Sequence, residues 1–276
     1  MKRPLALIAV AALAGAVVLT GCTTNPSSQP SSTDGVQLVT PGTLTVCTHL
    51  PFEPMESRDA SGTVVGFDFD LMGLVATHLG LTVTAVEVDP AQMTSGAAMI
   101  AMKCDISAEG MTITDARAQA VNFSVPYFGV TQTLAVPASS TVTSLADLKG
   151  KNLGVEAAST GEDYATTNQD KYGYQQVSFD DAATLLNSLL TGRSDAVLFD
   201  AGYVSTFVNQ NQGVKIATQI VTGEVYGFAT ARNASGGALI QIVDQVLQTA
   251  NTDGTYLSIY KKWIDPNATS ASLPTS

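Results

Sequence analysis

The sequence predicts an α/β fold built around parallel strands, and three patterns carry that prediction. Short β-prone runs at residues 44–48, 81–88 and 105–108 alternate with helical patterns that begin at Gly66 and at Thr94. A second alternating unit begins at Lys151 and passes through a helix at 182–190 to a strand at 194–200. Between the two units, near 129–133, the character of the chain changes. Strands alternating with helices imply parallel sheets joined by right-handed crossovers. Ligands on such sheets lie beyond the carboxyl ends of the strands, which places the loops after Thr48 and after Ala108 on one rim.

The chain opens with a targeting segment. Lys2 and Arg3 precede an apolar run at 5–19, which is short for a bilayer span and has signal-peptide architecture. Leu19, Thr20, Gly21 and Cys22 resemble the bacterial lipobox. That likeness implies a signal peptide at 1–21 and a lipid chain, such as palmitate, on Cys22. Residues 22–38 open with Pro and Ser and read as a flexible tether. A soluble body would move above the membrane that holds its acyl chains. Loss of Lys2 and Arg3 leaves 11 basic against 24 acidic residues, a net charge of −13. With no basic patch, nucleic acid is excluded as a partner.

The body follows in order. Residues 44–48 form a strand. The loop at 49–55 carries Pro51 and Pro54, which stiffen it and deny it helix; such a loop can hold the Phe52 ring against a ligand. A turn at 58–62 and a strand at 63–65 make a hairpin. The helix from Gly66 has Asp68 and Asp70 at its positive end, an apolar face of Phe67, Leu71, Leu74 and Val75, and a stop at Gly80. A short helix rich in Ala and Met spans 94–102. Later come a strand at 134–137, a capped turn of helix at 144–150 and a small-residue turn at 157–161. That turn has amides and hydroxyls suited to an anion and leads into a helix near Glu162. A strand spans 226–230, a helix carries Leu239, Val243, Val246 and Leu247, and a last short helix contains Trp263. The tail at 266–276 is polar and expected to fray.

Residues 105–127 hold the most suggestive chemistry. Gly110 and Met111 offer backbone donors, Thr112 a hydroxyl and Arg117 a guanidinium, the array a carboxylate needs. Thr114 can cap the helix that follows. Taken alone, an Arg three residues after a Thr is ordinary on a solvated helix.

The motifs VGFDFDL at 65–71, GMTIT at 110–114 with Arg117, FSVPY at 123–127, SLADLKG at 144–150, STG at 159–161, GRSDAV at 192–197 with Asp200, and DGTY at 253–256 occur in one order. Together they resemble solute-binding protein family 3, the polar amino-acid-binding proteins of ATP-driven (ABC) importers. The resemblance runs from about Leu44 to Trp263. It implies a type II periplasmic-binding-protein fold of two α/β lobes, each with a central, mainly parallel sheet, joined by a two-stranded hinge near 129–133 and 222–226. Lobe 1 would comprise 39–131 and 227–265, and lobe 2 would comprise 132–226. The implied function is capture of a polar amino acid between the lobes and delivery to a membrane permease, by a monomeric, lipid-anchored protein outside the cytoplasm.

The resemblance also implies residue roles. Arg117 would pair with the ligand α-carboxylate, completed by Thr112 and by the amides of Thr112 and Thr160. Asp200 would take the α-ammonium, with the Gly110 carbonyl as second acceptor. Phe52 would lie on the ligand side chain. Three positions depart from the family pattern: His49 replaces a frequent Asp, Glu109 replaces a small residue, and Gln92 or Met93 stands where a second aromatic often covers the ligand. His49 could meet an acidic or amide side chain or cap its loop; Glu109 could receive a cationic one or turn away.

Cys47 and Cys104 remain in an oxidising compartment, which suggests a disulfide. Their strand positions weigh slightly against it, because an offset of three residues at about 3.3 Å each gives roughly 10 Å, beyond the roughly 7 Å limit between Cα atoms. Two other functions share this fold or compartment: an enzyme such as a cyclohexadienyl dehydratase, and a ligand-sensing lipoprotein. There is no nucleophile motif and no metal-spaced set of His or Cys, so no cofactor or metal is expected and Glu109 is the one candidate acid.

Overall fold

The structure is a computed structural model that describes residues 35–275. The signal segment, Cys22 and residues 22–34 of the tether lie outside the described residues. The body begins sooner than residue 39: Val36 and Leu38 are buried, Gln37 N–H donates to Ser235 Oγ, and Val39 N–H donates to Asp105 Oδ1.

The first strand, β1 (Thr43–Thr48), is buried along nearly its whole length. A hairpin of β2 (Ser57–Arg58) and β3 (Val64–Val65) leads to helix α1 (Phe67–Leu79). Phe67, Leu71, Met72, Val75 and Ala76 form its buried face, and Gly80, at φ 68°, ends it in the left-handed region that glycine tolerates. After β4 (Thr82–Glu87), the single helix expected at 94–102 is two short ones, α2 (Pro90–Thr94) and α3 (Ala97–Ile100). Gly96 separates them at φ 74°. Then come β5 (Ile106–Ser107), α4 (Asp115–Ala118) and β6 (Val121–Phe123).

The chain crosses to the second sheet in β7 (Phe128–Pro137) and continues through β8 (Asn152–Glu156), α5 (Thr160–Tyr172), β9 (Gln175–Phe179), α6 (Ala182–Leu190), β10 (Ala196–Asp200), α7 (Ala201–Gln210) and the long β11 (Val214–Tyr226). It returns in β12 (Ala229–Ala231) and ends in α8 (Ala234–Asp253) and α9 (Thr255–Trp263). Helix α5 begins two residues before the expected Glu162 because Ser159 caps it, its side chain accepting from Glu162 N–H.

The first sheet has the order β4-β1-β5-β12-β6 and the second β11-β7-β10-β8-β9. In each, three parallel strands are extended by antiparallel ones: β4, β1 and β5 in the first, and β10, β8 and β9 in the second. Both sheets are therefore mixed, parallel from one edge to the middle strand and antiparallel beyond it. Strands β7 and β11 pair at the crossing, where Tyr226 faces Phe128 and Ile220 faces Gln132, with a register shift between Ile220 and Glu224. The first sheet is covered by an aromatic cluster in which Phe67, Tyr127, Phe228 and Tyr256 are fully buried. The second sheet buries Leu134, Val136, Leu148, Leu153, Val155 and Leu198. Residues 266–275 form no helix or strand, yet Ala271 and Leu273 pack on the first core and Leu273 N–H donates to Asn251 Oδ1.

Cys47 and Cys104 are joined in a disulfide, with Cα atoms 5.5 Å apart, against the spacing argument made from sequence. That argument treats Cys104 as part of an extended strand. In fact β5 starts only at Ile106, and just before it the chain turns, with Met102 at φ 54° and Lys103 N–H bonded to Ala98 O. A turning chain does not advance by the rise of a strand, so Cys104 stays within reach of Cys47.

Candidate functional site

All eight candidate ligand positions, His49, Phe52, Glu109, Gly110, Thr112, Arg117, Thr160 and Asp200, line one cavity. The empty space among these side chains is about 550 Å³ with its open mouth included, of which only about 60 Å³ is room for the centres of water-sized molecules, so the two walls stand close together. One wall comes from loops after β1 and β5, the other from the carboxyl ends of β8 and β10, as the rule for such sheets requires.

Arg117 is fixed by its own helix. Thr114 caps α4 and accepts from Arg117 N–H, which sets where the guanidinium emerges. The guanidinium then donates to Thr112 O at 3.0 Å and, across the cavity, to Ala158 O at 2.9 Å. Thr112 therefore presents its carbonyl, not its hydroxyl, to Arg117. Ala158 holds the left-handed region at φ 62°, a conformation costly for a residue with a Cβ. Its N–H donates to Glu162 Oε2, so the first turn of α5 holds the carbonyl in place. Thr160 is the first residue of α5, where helix amides lack internal acceptors.

Gly110 is placed by a buried carboxylate. Its N–H donates to Asp68 Oδ2, which also accepts from the Tyr127 hydroxyl. Gly110 sits at φ 59°, and a Cβ there would run into the Phe52 ring. Asp68, in the first turn of α1, is wholly buried, and burial raises its pKa to about 7. Phe52 stacks on Tyr203 with centroids 5.7 Å apart and meets Phe199 edge-on.

Asp200 ends β10 on the other wall and is buried. Its carboxylate accepts from Gln132 Nε2 and from the Tyr226 hydroxyl. Burial outweighs these bonds and lifts its pKa to about 6. His49 Nε2 and Glu109 Oε1 are buried without a hydrogen-bond partner. Burial pushes the Glu109 carboxyl well above the usual range, against the pull of Arg117.

Sequence reasoning missed several lining residues. Glu156 ends β8 and faces the cavity, with its pKa raised to about 8 by burial and then by Asp200. Phe199, just before Asp200, adds a second ring. Met93, considered for a cover, is fully buried in a core with Cys47, Met99 and Cys104, and Pro90 and Thr94 line the mouth in its place. Strand ends signal where such residues cluster, but Glu156 and Phe199 carry no motif of their own.

Comparisons with known proteins agree on one family. The sequence model for "bacterial extracellular solute-binding proteins, family 3" matches residues 44–266. A "probable histidine-binding protein" of Neisseria gonorrhoeae is 30% identical over 227 residues, covering 79% of this chain and 81% of the relative. "ABC transporter arginine-binding protein 1" of Escherichia coli K12 is 29% identical, covering 77% and 86%. Among solved structures, an ancestral arginine-binding protein bound to arginine superposes with a TM-score of 0.75 at 36% identity, covering 81% of this chain and 98% of that one.

Proposed function

The chain belongs to the bacterial extracellular solute-binding proteins, family 3, and on that premise we propose that it captures a polar amino acid in the cavity between its two sheets and delivers it to an ABC importer. One observation carries the reading. A guanidinium fixed by a helix cap and a buried carboxylate, Arg117 and Asp200, line one cavity from different sheets. An α-amino acid carries a carboxylate and an ammonium on the same carbon, so it can meet both at once. Arg117 takes the carboxylate as a planar pair of donors, supported by Thr112 and the first amides of α5. Asp200 takes the ammonium with the Gly110 carbonyl, and the Phe52 ring, with Phe199 edge-on against it, lies along the side chain. The relatives named for histidine and arginine support the ligand class.

The lobes would be residues 36–131 with 227–265, and 132–226, turning about the β7–β11 crossing. A ligand that touches both walls favours the closed arrangement, because only there does it make both sets of contacts. The lipobox likeness supports an anchor at Cys22, which would tether the protein outside the cytoplasm beside a permease, where it would act as a monomer.

The test is a thermal-shift screen of the amino acids, followed by calorimetry. A binder's midpoint rises with saturating ligand, and recovery of the amino acid unchanged separates capture from turnover. No shift with any amino acid overturns the reading.

A further inference from the structure

The cavity carries more carboxyl groups than an α-ammonium requires. Glu109 and Glu156 line it from opposite sheets, in addition to Asp200. Glu109 Oε1 is buried and unpartnered. Behind this wall Glu56 is fully buried, and neither of its carboxyl oxygens has a partner. Arg117 is the one Lys or Arg among the described lining residues, and its guanidinium already serves the carboxylate end.

Such an arrangement is expensive without an opposing charge, since a buried carboxylate is tolerated only when paired or neutralised. Glu109 faces Arg117, Glu156, Asp68 and Asp89. Glu156 faces Asp200 and Asp181. Glu56 faces Asp68, Glu109 and Glu156. The groups are thus mostly of like charge, and burial and repulsion hold protons on them. Among the described residues, no three His, Cys, Asp or Glu side chains converge on a point that could hold a metal ion. The carboxyls are instead spread over two walls, which suits an extended organic cation.

We propose that the ligand is an amino acid with a cationic side chain, whose guanidinium or ammonium lies between Glu109 and Glu156. The proposal rests on the amino-acid-binding reading and adds the chemical class of the side chain. Glu109 supplies the acceptor, and Glu156 closes the pair from the other sheet. The Phe52 ring, with Phe199 edge-on against it, lies along the aliphatic stem. On binding, the cation displaces the proton that burial and the neighbouring Asp200 favour on Glu156, whose pKa is about 8, so capture releases protons near neutral pH.

The experiment is calorimetric titration of the full chain, purified in detergent, with L-arginine, L-lysine, L-glutamine and L-citrulline. Citrulline has nearly the shape of arginine without its charge. Arginine or lysine is expected to bind more than about thirtyfold tighter than citrulline, the least that an unpaired buried charge normally costs. In buffers of different ionisation enthalpy, arginine is expected to release protons and citrulline to release none. Glu109→Gln should weaken arginine binding while citrulline binding holds or tightens. If glutamine or citrulline binds as tightly as arginine to the wild type, the cationic side chain is wrong and amino-acid binding stands. If none of the four binds but the thermal-shift screen finds another amino acid, the cationic side chain alone is wrong; if that screen finds none, both readings fail.

Discussion

Replacing Asp200 with Asn should move ligand binding and stability in opposite directions. In the ligand-free protein the Asp200 carboxylate is buried, and its pKa stands near 6 against an ordinary 3.8. A carboxyl with a raised folded pKa favours folding fully below 3.8, where it is protonated in both states. That contribution is lost as pH rises through about 6. Over this interval, at about 1.4 kcal/mol per pH unit, the ionised group costs about 3 kcal/mol at pH 7. Asn has nearly the same shape and never carries the charge. It retains one oxygen acceptor for Gln132 Nε2 or the Tyr226 hydroxyl, so it should recover about 1–3 kcal/mol of this. The proposed α-ammonium, in contrast, loses its ionised partner, at about 2–5 kcal/mol of affinity. Urea unfolding followed by circular dichroism, with and without saturating amino acid, reads both effects. The variant should be more stable than wild type without ligand at pH 7, gain little from ligand, and lose its advantage below about pH 4, where the wild-type group is neutral in both states. Wild-type affinity in Asp200→Asn would refute the assignment to the ammonium. A less stable ligand-free variant at pH 7 would refute the burial argument.

Arg117→Ala removes the carboxylate partner and the contact with Ala158 O; calorimetry should show a loss of about 2–5 kcal/mol, and Arg117→Lys should restore only part of it, since an ammonium cannot pair in two planar bonds. Gly110→Ala forces a Cβ at φ 59° against Phe52; it should lower stability by about 1–3 kcal/mol and abolish binding, and an unchanged unfolding midpoint would contradict it. Cys104→Ser opens a link with a sequence separation of 57, and loop entropy puts its loss at about 4 kcal/mol. Denaturation with and without reductant measures that loss, and a thiol assay on denatured, unreduced wild type should find Cys47 and Cys104 unavailable.

Much of this was legible because local chemistry repeats. Gly80 stops its helix in the left-handed region, and Thr114 caps α4 through its side chain. Such signals need no knowledge of the rest of the chain. The eight site positions were readable through motif likeness, and they do share one cavity. What escaped depends on distant partners. Helix α7, with the sequence AGYVSTFVNQ, is an exception, because Tyr203, Val204, Phe207 and Val208 recur at helical spacing and pack into the core. Strand β6 has three residues and exists because β12 returns from more than a hundred residues away to pair with it. Glu56 sits two residues after a proline, in a loop that looks solvated, yet it is wholly buried. The Cys47–Cys104 bond was misjudged because strand arithmetic was applied to a turn.

The two halves of the site are joined through the crossing strands, and this gives the proposed closure a physical route. Tyr226 pairs by its backbone with Thr112 in an isolated bridge, and its hydroxyl donates to Asp200. It therefore touches both the carboxylate end and the ammonium end of the site. Gln132, on the partner strand of the crossing, donates to Asp200 and reaches Thr160 Oγ1 and Glu224 Oε2 at 3.4 and 3.3 Å. A carboxylate has about four acceptor positions. With Gln132 and Tyr226 occupying two, Asp200 can accept an ammonium without giving up either. Ligand contact at Asp200 thus adds to the bonds that tie β10 to β7 and β11. Arg117 differs, because each of its present acceptors is a carbonyl, one on each wall. A bound carboxylate must compete for those donors. The selectivity of closure then depends on whether the carboxylate outbids Ala158 O, and a charged acceptor makes the stronger bond.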